Sequence, residues 1–368
     1  MSSAKFEPAD HSGVLVRLIH LTALIYPALL VHGSLFPWAN WTATGTPVLS
    51  YLTAPFPRYW TGLDLLANVG LYVPLGFFWA LWILARPRLQ KYWWNATFLA
   101  LAVSFGVETL QNWLPSRVPS NVDLVCNGLG ALMGALMARY FGGQWISRGY
   151  QWAQRWLLLD ASGELGVFLL ILWFVGQWAP DGVLFASGHW RNVWLTWPPG
   201  WISSASESAA ARWEAAAVAA YLVAIGLMLR ELLRCGRRQS LSIILLIFMV
   251  AATARAVSAA VMLRTSAAFD WLTYGAQTGL LVGGLILIPA VFLPGHWRRY
   301  LAIVALLAGT LAVNLSGTSP YFRSLVPAGS GSAFYNLAGL TELVALLWPL
   351  AALIWWISRS RRSPIMSG

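Results

Sequence analysis

Side chains able to do chemistry concentrate between residues 64 and 127 of this 368-residue chain. Two acids, one arginine and three amides form the candidate set. Its members are Asn68, Glu108, Gln111, Arg117, Asp123 and Asn127. A carboxylate can take up or release a proton, and an arginine can hold an anion or stabilise developing negative charge. Amides add hydrogen bonds that orient a polar ligand. The combination favours a polar binding pocket or an acid–base site.

The spacing of these residues places them on shared helix faces. Glu108 and Gln111 are separated by three positions, and Asp123 and Asn127 by four, so each pair lies on one side of a helix. Only a short turn separates the two segments, which predicts that they are antiparallel neighbours. A carboxylate several residues below a helix end is costly in lipid, so Glu108 is expected to face the bundle and to pair with Arg117.

Each of these residues also has a structural interpretation. Ser120-x-x-Asp123 before an apolar run is a capping-box pattern, so Asp123 is expected mainly to satisfy free N–H groups at a helix start. The two asparagines are able to hydrogen-bond across helices, and Gly130-xxx-Gly134 favours close packing of a neighbouring backbone. An acid and an arginine beside these amides exceed what packing requires. A functional cluster is therefore predicted.

The elements that must position this cluster are membrane-spanning helices. The chain is 58% hydrophobic and 10% charged, with a mean hydropathy of +0.62, and long apolar runs recur along it. The expected fold class is all-α, a polytopic transmembrane helical bundle of about ten spans. The spans are predicted near residues 13–35, 65–85, 95–114, 121–141, 164–179, 211–233, 240–263, 271–293, 298–316 and 336–357. The fifth is short for a span unless it begins near Asp160, and without it the count is nine.

Basic residues indicate how the bundle is oriented. They cluster after spans two, four, six and eight and at the end of the chain, whereas the alternate loops hold mostly single arginines. Because basic residues favour cytoplasmic loops, both termini are predicted to be cytoplasmic, which requires an even number of spans. The formal charge of +11 is assigned to this topology, and no nucleic-acid partner is expected. The candidate cluster then lies on the outer side.

The same region shows a family resemblance. The ordered set of Asn68, Pro74-Leu-Gly76, Glu108-x-x-Gln111, Arg117, Asp123-x-x-x-Asn127 and Gly130 to Gly134 resembles the VanZ-like family. These are small multispan proteins named after an accessory factor in glycopeptide (teicoplanin) resistance. The resemblance covers about residues 15–141, and residues 339–349 resemble longer bacterial members with extra spans. It implies a multi-pass protein of the bacterial cytoplasmic (inner) membrane and brings no catalytic role, substrate or cofactor.

This resemblance divides the chain into four predicted segments. They are a cytoplasmic N-terminal segment (1–12), a VanZ-like four-helix membrane domain (13–141), a C-terminal membrane domain of about six spans (142–358) and a basic cytoplasmic tail (359–368). In the C-terminal domain, Arg255 and Glu342 both fall in the outer half of predicted spans and form a candidate second buried ion pair. Scattered histidines and the lack of a Cys/His cluster, a phosphate loop or a dinucleotide motif predict no metal and no cofactor.

Three functions stay open on the sequence alone. The preferred one is a non-enzymatic envelope protein whose outward-facing pocket binds the headgroup of a membrane lipid or of a lipid-linked cell-wall or polysaccharide precursor. Arg117 would be the anion contact, with a link to glycopeptide tolerance. The alternative is an intramembrane enzyme acting on a lipid-linked substrate, with Glu108 or Asp123 as general acid or base. A transporter or flippase would need polar residues continuing to the cytoplasmic side, and the inner halves of the spans are nearly free of them.

Overall fold

The computed structural model describes residues 12–38, 40–43, 45–55, 62–179, 182–190, 206–263, 265–315 and 332–361. Within these ranges the backbone forms helices and turns and no β-strand, so the predicted all-α class is confirmed. The α-helices are α1 (Ser12–Leu35), α2 (Gly62–Leu84), α3 (Asn95–Gln111), α4 (Asn121–Met137), α5 (Gly143–Trp156), α6 (Ala161–Gly176), α7 (Glu207–Leu232), α8 (Arg237–Met262), α9 (Tyr274–Ala290), α10 (Gly295–Leu315) and α11 (Ser332–Arg361). Each predicted span overlaps one of these helices.

Several helices have the length and hydropathy of membrane spans. A crossing needs roughly 20 mainly apolar residues. Six segments of the described chain meet this requirement: Asp64–Leu84, Asn121–Trp156, Glu207–Leu232, Arg237–Met262, Gly295–Leu315 and Gly339–Arg359. Three shorter apolar helices are Ile19–Leu35, Ala161–Gly176 and Tyr274–Ala290. The protein therefore has the helices of a multi-pass membrane protein.

The chain forms two compact units. The first unit comprises residues 1–153 and 329–340, and the second comprises residues 154–328 and 341–368. The predicted boundary near residue 141 falls inside a continuous helical segment, because a π-helical turn at Ala138–Gly142 joins α4 directly to α5. Span four was expected to end there, but the helical backbone continues to Trp156. Arg359, assigned from the sequence to a tail, lies within α11.

Glycine residues set the contact between α2 and α4 in the first unit. A Cβ atom built at Gly130 would lie 2.2 Å from the carbonyl oxygen of Val69, and one built at Gly134 would lie 2.0 Å from that of Val73. From α2, a Cβ at Gly76 would lie 2.0 Å from the oxygen of Ala131. Backbone therefore touches backbone, as the small-residue spacing predicts, and the neighbour in contact is α2. Gly130 contacts Val69, and Gly134, four residues later, contacts Val73, also four residues later. Helices α2 and α4 therefore run parallel.

Helix α7 forms the centre of the second unit. In the most hydrophobic 18-residue stretch of α7, 78% is buried, compared with 39% in the corresponding stretch of α8. Glycines at every fourth position of α9, namely Gly275, Gly279 and Gly283, lie against the α7 backbone. Gly309 of α10 lies against the ring of Tyr221 on α7, whose hydroxyl donates to the carbonyl of Ser187 at 2.6 Å. The small residues of the neighbouring helices thus enclose α7.

Candidate functional site

The start of α4 brings α3 and α4 together. Ser120 is the N-cap, and its Oγ accepts the backbone N–H groups of Val122 at 3.1 Å and Asp123 at 3.4 Å. In a complete capping box the side chain at the Asp123 position would accept the N–H of Ser120. That N–H instead donates to Oε2 of Glu108, at 2.8 Å. Glu108 on α3 therefore completes the cap expected of Asp123.

Asp123, half-buried, faces α2 and the other acids. Its carboxylate lies close to the side chain of Asn68. The amide nitrogen of Asn68 does not, however, form a hydrogen bond of ordinary geometry with it. It also interacts electrostatically with Glu108 of α3 and with Asp64 of α2. Three carboxylates thus approach one another at the level where α4 begins. Such a group repels anions and attracts hydrogen-bond donors or positive charge.

Arg117 fixes the end of α1. The residue is 6% exposed, and its Nε donates to the carbonyl of Phe36 at 3.0 Å. Its Nη2 donates to the carbonyls of Gly33 and Phe36, both at 2.9 Å. The last carbonyls of a helix have no partner within the helix, and a guanidinium satisfies them well. Arg117 was expected to pair with Glu108. The two residues line the same cavity and interact electrostatically, and the three bonds also hold the guanidinium against the end of α1.

Gln111 contacts the same helix end. Its Nε2 donates to the carbonyl of Ser34 at 2.7 Å, and the side chain is buried. Gln111 and Arg117 together hold three successive parts of the α1 terminus through side-chain donors. The C-terminal end of α1 is therefore part of the site wall, a role that the sequence did not indicate.

Three buried polar atoms in this region form no hydrogen bond of ordinary geometry among the described residues, although Asn68 lies beside Asp123 and Tyr72 lies beside Ser104. They are Nδ2 of Asn68, the hydroxyl of Tyr72 and Oδ1 of Asn127. The three side chains are 6%, 3% and 4% exposed. The other end of the Asn127 amide is bonded, since its Nδ2 donates to Oγ of Ser104 at 2.9 Å. Most buried polar groups are hydrogen-bonded, so three exceptions around one space indicate a place for a polar group.

That space is a small cavity in the first unit. All six residues of the predicted cluster line it, together with Ser34 and Tyr72 among others. Its volume is about 20 Å³. This is enough for about one water molecule or for one small polar substituent, and too little for a whole sugar ring. The cavity therefore suits recognition of a single group.

Sequence reasoning missed Asp64, Tyr72 and Ser104. A signal for Asp64 was present, because Asp64-Leu-x-x-Asn68 in α2 repeats as Asp123-Leu-x-x-Asn127 in α4. The parallel packing of α2 and α4 brings the two copies to the same level. Tyr72 has no such signal, because an aromatic residue one helical turn after Asn68 is as typical of packing as of binding.

The second predicted pair has other described contacts. Arg255 is 2% exposed and donates from Nη2 to the carbonyl of Gly182. It interacts electrostatically with the buried Glu214, whose Oε1 accepts a hydrogen bond from Thr273 at 2.6 Å. The pairing of Arg255 with Glu342 stays a prediction.

An all-α bundle of long apolar helices around a buried polar cluster defines a multi-pass integral membrane protein. Residues 18–142 match the family model described as VanZ/LLP1, so the chain carries a VanZ-like domain in its first unit. The matched residues include every residue that lines the cavity. The comparisons with curated proteins and with solved structures returned no match.

Proposed function

We propose that this protein is a bacterial cell-envelope membrane protein that binds one polar group of a lipid headgroup in the cavity between α1, α2, α3 and α4. The observation that supports this most is the set of three buried, unbonded polar atoms on Asn68, Tyr72 and Asn127 around a single cavity. The protein sits in the cytoplasmic membrane with this cavity on the outer side. Its ligand is a membrane lipid or a lipid-linked envelope precursor.

The charge of the cavity narrows the chemistry of that group. Glu108 and Asp123 are acceptors when ionised, and Oδ1 of Asn127 is a further acceptor. The guanidinium of Arg117 already donates to the end of α1. The cavity thus presents acceptors on Glu108, Asp123 and Asn127 together with two unbonded donors, Nδ2 of Asn68 and the hydroxyl of Tyr72. This mixture favours an amide or hydroxyl group, which both donates and accepts, over a phosphate. Arg117 becomes a positioning residue in this proposal, in place of the anion contact expected from the sequence.

The test compares two leucine substitutions. The full-length protein and its Asn127→Leu variant are placed in nanodiscs that contain either an amide-rich lipid-linked cell-wall precursor or phosphatidylglycerol alone, and bound lipid is counted by native mass spectrometry. Loss of one hydrogen bond, about 1 kcal/mol, predicts roughly fivefold weaker binding of the precursor by Asn127→Leu. Gln144→Leu makes the same chemical change at an exposed position and is the control. Equal binding by all three proteins would contradict the proposal.

The link to glycopeptides is tested in cells. Expression of the wild-type protein in a susceptible Gram-positive host is expected to raise teicoplanin tolerance, because a bound precursor is withheld from the drug. The Asn127→Leu variant at equal membrane abundance is expected to lose this effect. If the wild-type protein left teicoplanin tolerance unchanged, the link to glycopeptides would be contradicted, whereas the lipid-binding proposal would still be decided by the nanodisc assay.

A second function is supported by one specific observation, the electrostatic coupling of Glu108 and Asp123 at the same cavity. Two interacting carboxylates are a common arrangement for acid–base work. Under this alternative the protein converts a lipid-linked substrate, and Glu108→Gln retains binding but abolishes conversion. Mass analysis of the precursor after incubation with the protein distinguishes a changed ligand from one that is only bound.

A further inference from the structure

A second cavity lies in the second unit, where α7 ends, α8 begins and α10 begins. Its volume is about 490 Å³. Three arginines line it, Arg230, Arg234 and Arg298, and Glu231 is its acid. Each of these helix ends belongs to the side that the basic clusters predict to be cytoplasmic. The cavity is therefore large, positively charged and placed at a membrane boundary.

The acid at this cavity is already shared by other arginines. Oε1 of Glu231 accepts hydrogen bonds from Arg299 at 2.9 and 3.2 Å and lies 3.5 Å from Nε of Arg359. Its Oε2 lies 3.5 Å from Nη2 of Arg298. Among the described residues, the other carboxylate in this network is Asp160, which lies 3.2 Å from Nη1 of Arg359. In this network two carboxylates interact with three arginines, Arg298, Arg299 and Arg359. Arg230 and Arg234 add two further positive charges at the cavity.

Arg230 and Arg298, which are less exposed than Arg234, have unused donors. Arg230 donates from Nη1 to the carbonyl of Leu233 at 3.2 Å, and Arg298 donates from Nη1 to that of Leu293 at 2.8 Å. The Nε atoms of both are buried and have no hydrogen-bond partner in the described part of the chain. Arg230 also lies close enough to Arg298 and Arg237 for their positive charges to repel. An anion would accept from the Nε groups and reduce this repulsion.

We infer that this cavity is a binding site for a phosphate group on the predicted cytoplasmic side, held by Arg230 and Arg298. A guanidinium matches the geometry of phosphate oxygens, and basic pockets between helices at the cytoplasmic boundary are suited to anionic headgroups. The phosphate belongs either to an anionic lipid or to a soluble compound. The site is independent of the cavity between α1 and α4.

The experiment separates these two sources with the full-length protein. In nanodiscs of phosphatidylcholine with 20% phosphatidylglycerol, native mass spectrometry counts retained phosphatidylglycerol; in pure phosphatidylcholine nanodiscs, calorimetry follows a titration with inorganic phosphate. Retained phosphatidylglycerol identifies a lipid ligand, and saturable phosphate binding identifies a soluble one. Either result supports the site. Absence of both in the wild-type protein would overturn it, whatever the variants do.

Two matched variants locate the binding. Arg230→Gln removes a cavity arginine, and Arg238→Gln removes an exposed arginine from the same stretch of chain. Arg230→Gln is expected to weaken binding at least fivefold, and Arg238→Gln less than twofold. Equal losses would mean attraction by the general positive surface and would overturn the assigned site. Arg298→Gln is the second cavity variant if Arg230→Gln does not fold, as judged by circular dichroism and gel filtration.

Discussion

Glu108 of α3 accepts the backbone N–H of Ser120, the N-cap of α4, at 2.8 Å. A carboxylate buried to 3% exposure thus completes the first turn of the next helix and at the same time borders the polar cavity. The two oxygens of the carboxylate are available for different partners. Glu108 is therefore both a structural residue and a candidate ligand contact, and variants have to separate the two roles.

Replacing Glu108 by alanine is expected to destabilise the protein more than replacing it by glutamine. Alanine leaves the N–H of Ser120 without its acceptor, which costs about 1–3 kcal/mol, whereas glutamine retains a carbonyl oxygen. Thermal unfolding in detergent, followed by circular dichroism, measures the difference. Equal melting temperatures for the two variants would show that the Glu108–Ser120 hydrogen bond does not contribute to stability.

Gly134→Ala is expected to disrupt the first unit. The added Cβ would lie 2.0 Å from the carbonyl oxygen of Val73, so α2 and α4 would have to separate. Gly70→Ala in α2 is the control, because a Cβ there meets nothing within 4 Å. Alanine favours a helix over glycine by about 1 kcal/mol, so the control is expected to be neutral or stabilising. Gel filtration and melting temperature measure both, and similar behaviour would contradict the backbone contact.

Arg117→Lys is expected to loosen the end of α1 although the charge is kept. Lysine cannot reproduce the three hydrogen bonds to the carbonyls of Gly33 and Phe36. Hydrogen exchange measured by mass spectrometry should increase over residues 30–38 and stay unchanged in α8. If Arg117 served only as a positive charge for a ligand, the lysine variant would exchange like the wild-type protein.

Two tyrosine-to-phenylalanine variants separate ligand binding from stability. Tyr26 donates to the carbonyl of Leu71 at 2.7 Å, so Tyr26→Phe is expected to lower stability by about 1 kcal/mol. The hydroxyl of Tyr72 lies beside Ser104 but forms no hydrogen bond of ordinary geometry in the described residues, so Tyr72→Phe should lower stability less than Tyr26→Phe does. Tyr72→Phe should also weaken precursor binding in the nanodisc assay. Loss of stability without loss of binding in Tyr72→Phe would argue against a ligand contact.

Asp160 gives a prediction for acid pH. Burial opposes its ionisation, but the N–H of Gly163 and the guanidinium of Arg359 outweigh that effect and hold the pKa of Asp160 below its ordinary value of 3.8. A lowered pKa in the folded state adds stability above pH 3.8, and that stability is lost as the pH falls further. Asp160→Asn keeps an N-cap residue but removes the charge. Its melting temperature should be lower than that of the wild-type protein at pH 6, and the gap should narrow as the pH falls below 3.8.

The sequence was a good guide to the helices and a poorer one to their ends. Apolar runs of span length recover ten of the eleven α-helices in the described residues, because lipid leaves few other ways to satisfy a backbone. The extension of α4 into α5 was missed, since the amphipathic residues after Gly143 lack the continuous hydropathy of a span. The helix predicted as the fifth span begins before Glu164, with Asp160 as the N-cap of α6.

For the candidate site, depth and spacing placed the six residues around one cavity but not their hydrogen bonds. Glu108 and Arg117 were paired from the sequence because opposite charges in lipid are expected to meet, and the two do interact electrostatically, but each also has backbone partners. That argument neglects backbone groups. The free N–H of Ser120 and the free carbonyls at the end of α1 are charge-matched partners as well, and no residue letter marks them. The repeated Asp-Leu-x-x-Asn pattern indicates a shared site only when α2 and α4 are known to pack in parallel.

The enclosed position of α7 has a consequence for the biogenesis of the protein. Helix α7 leaves the ribosome before α9 and α10, the helices that cover it. Until those helices are made, the Glu214 side chain on α7 has no contact with Thr273. In the folded protein, the Thr273 hydroxyl donates to Oε1 of Glu214 at 2.6 Å. Glu214 on the nascent α7 therefore lacks this hydrogen bond until Thr273, 59 positions later in the chain, has been made. Truncation after α8 should leave a chain that is degraded, whereas truncation after α10 should allow α7 to be protected.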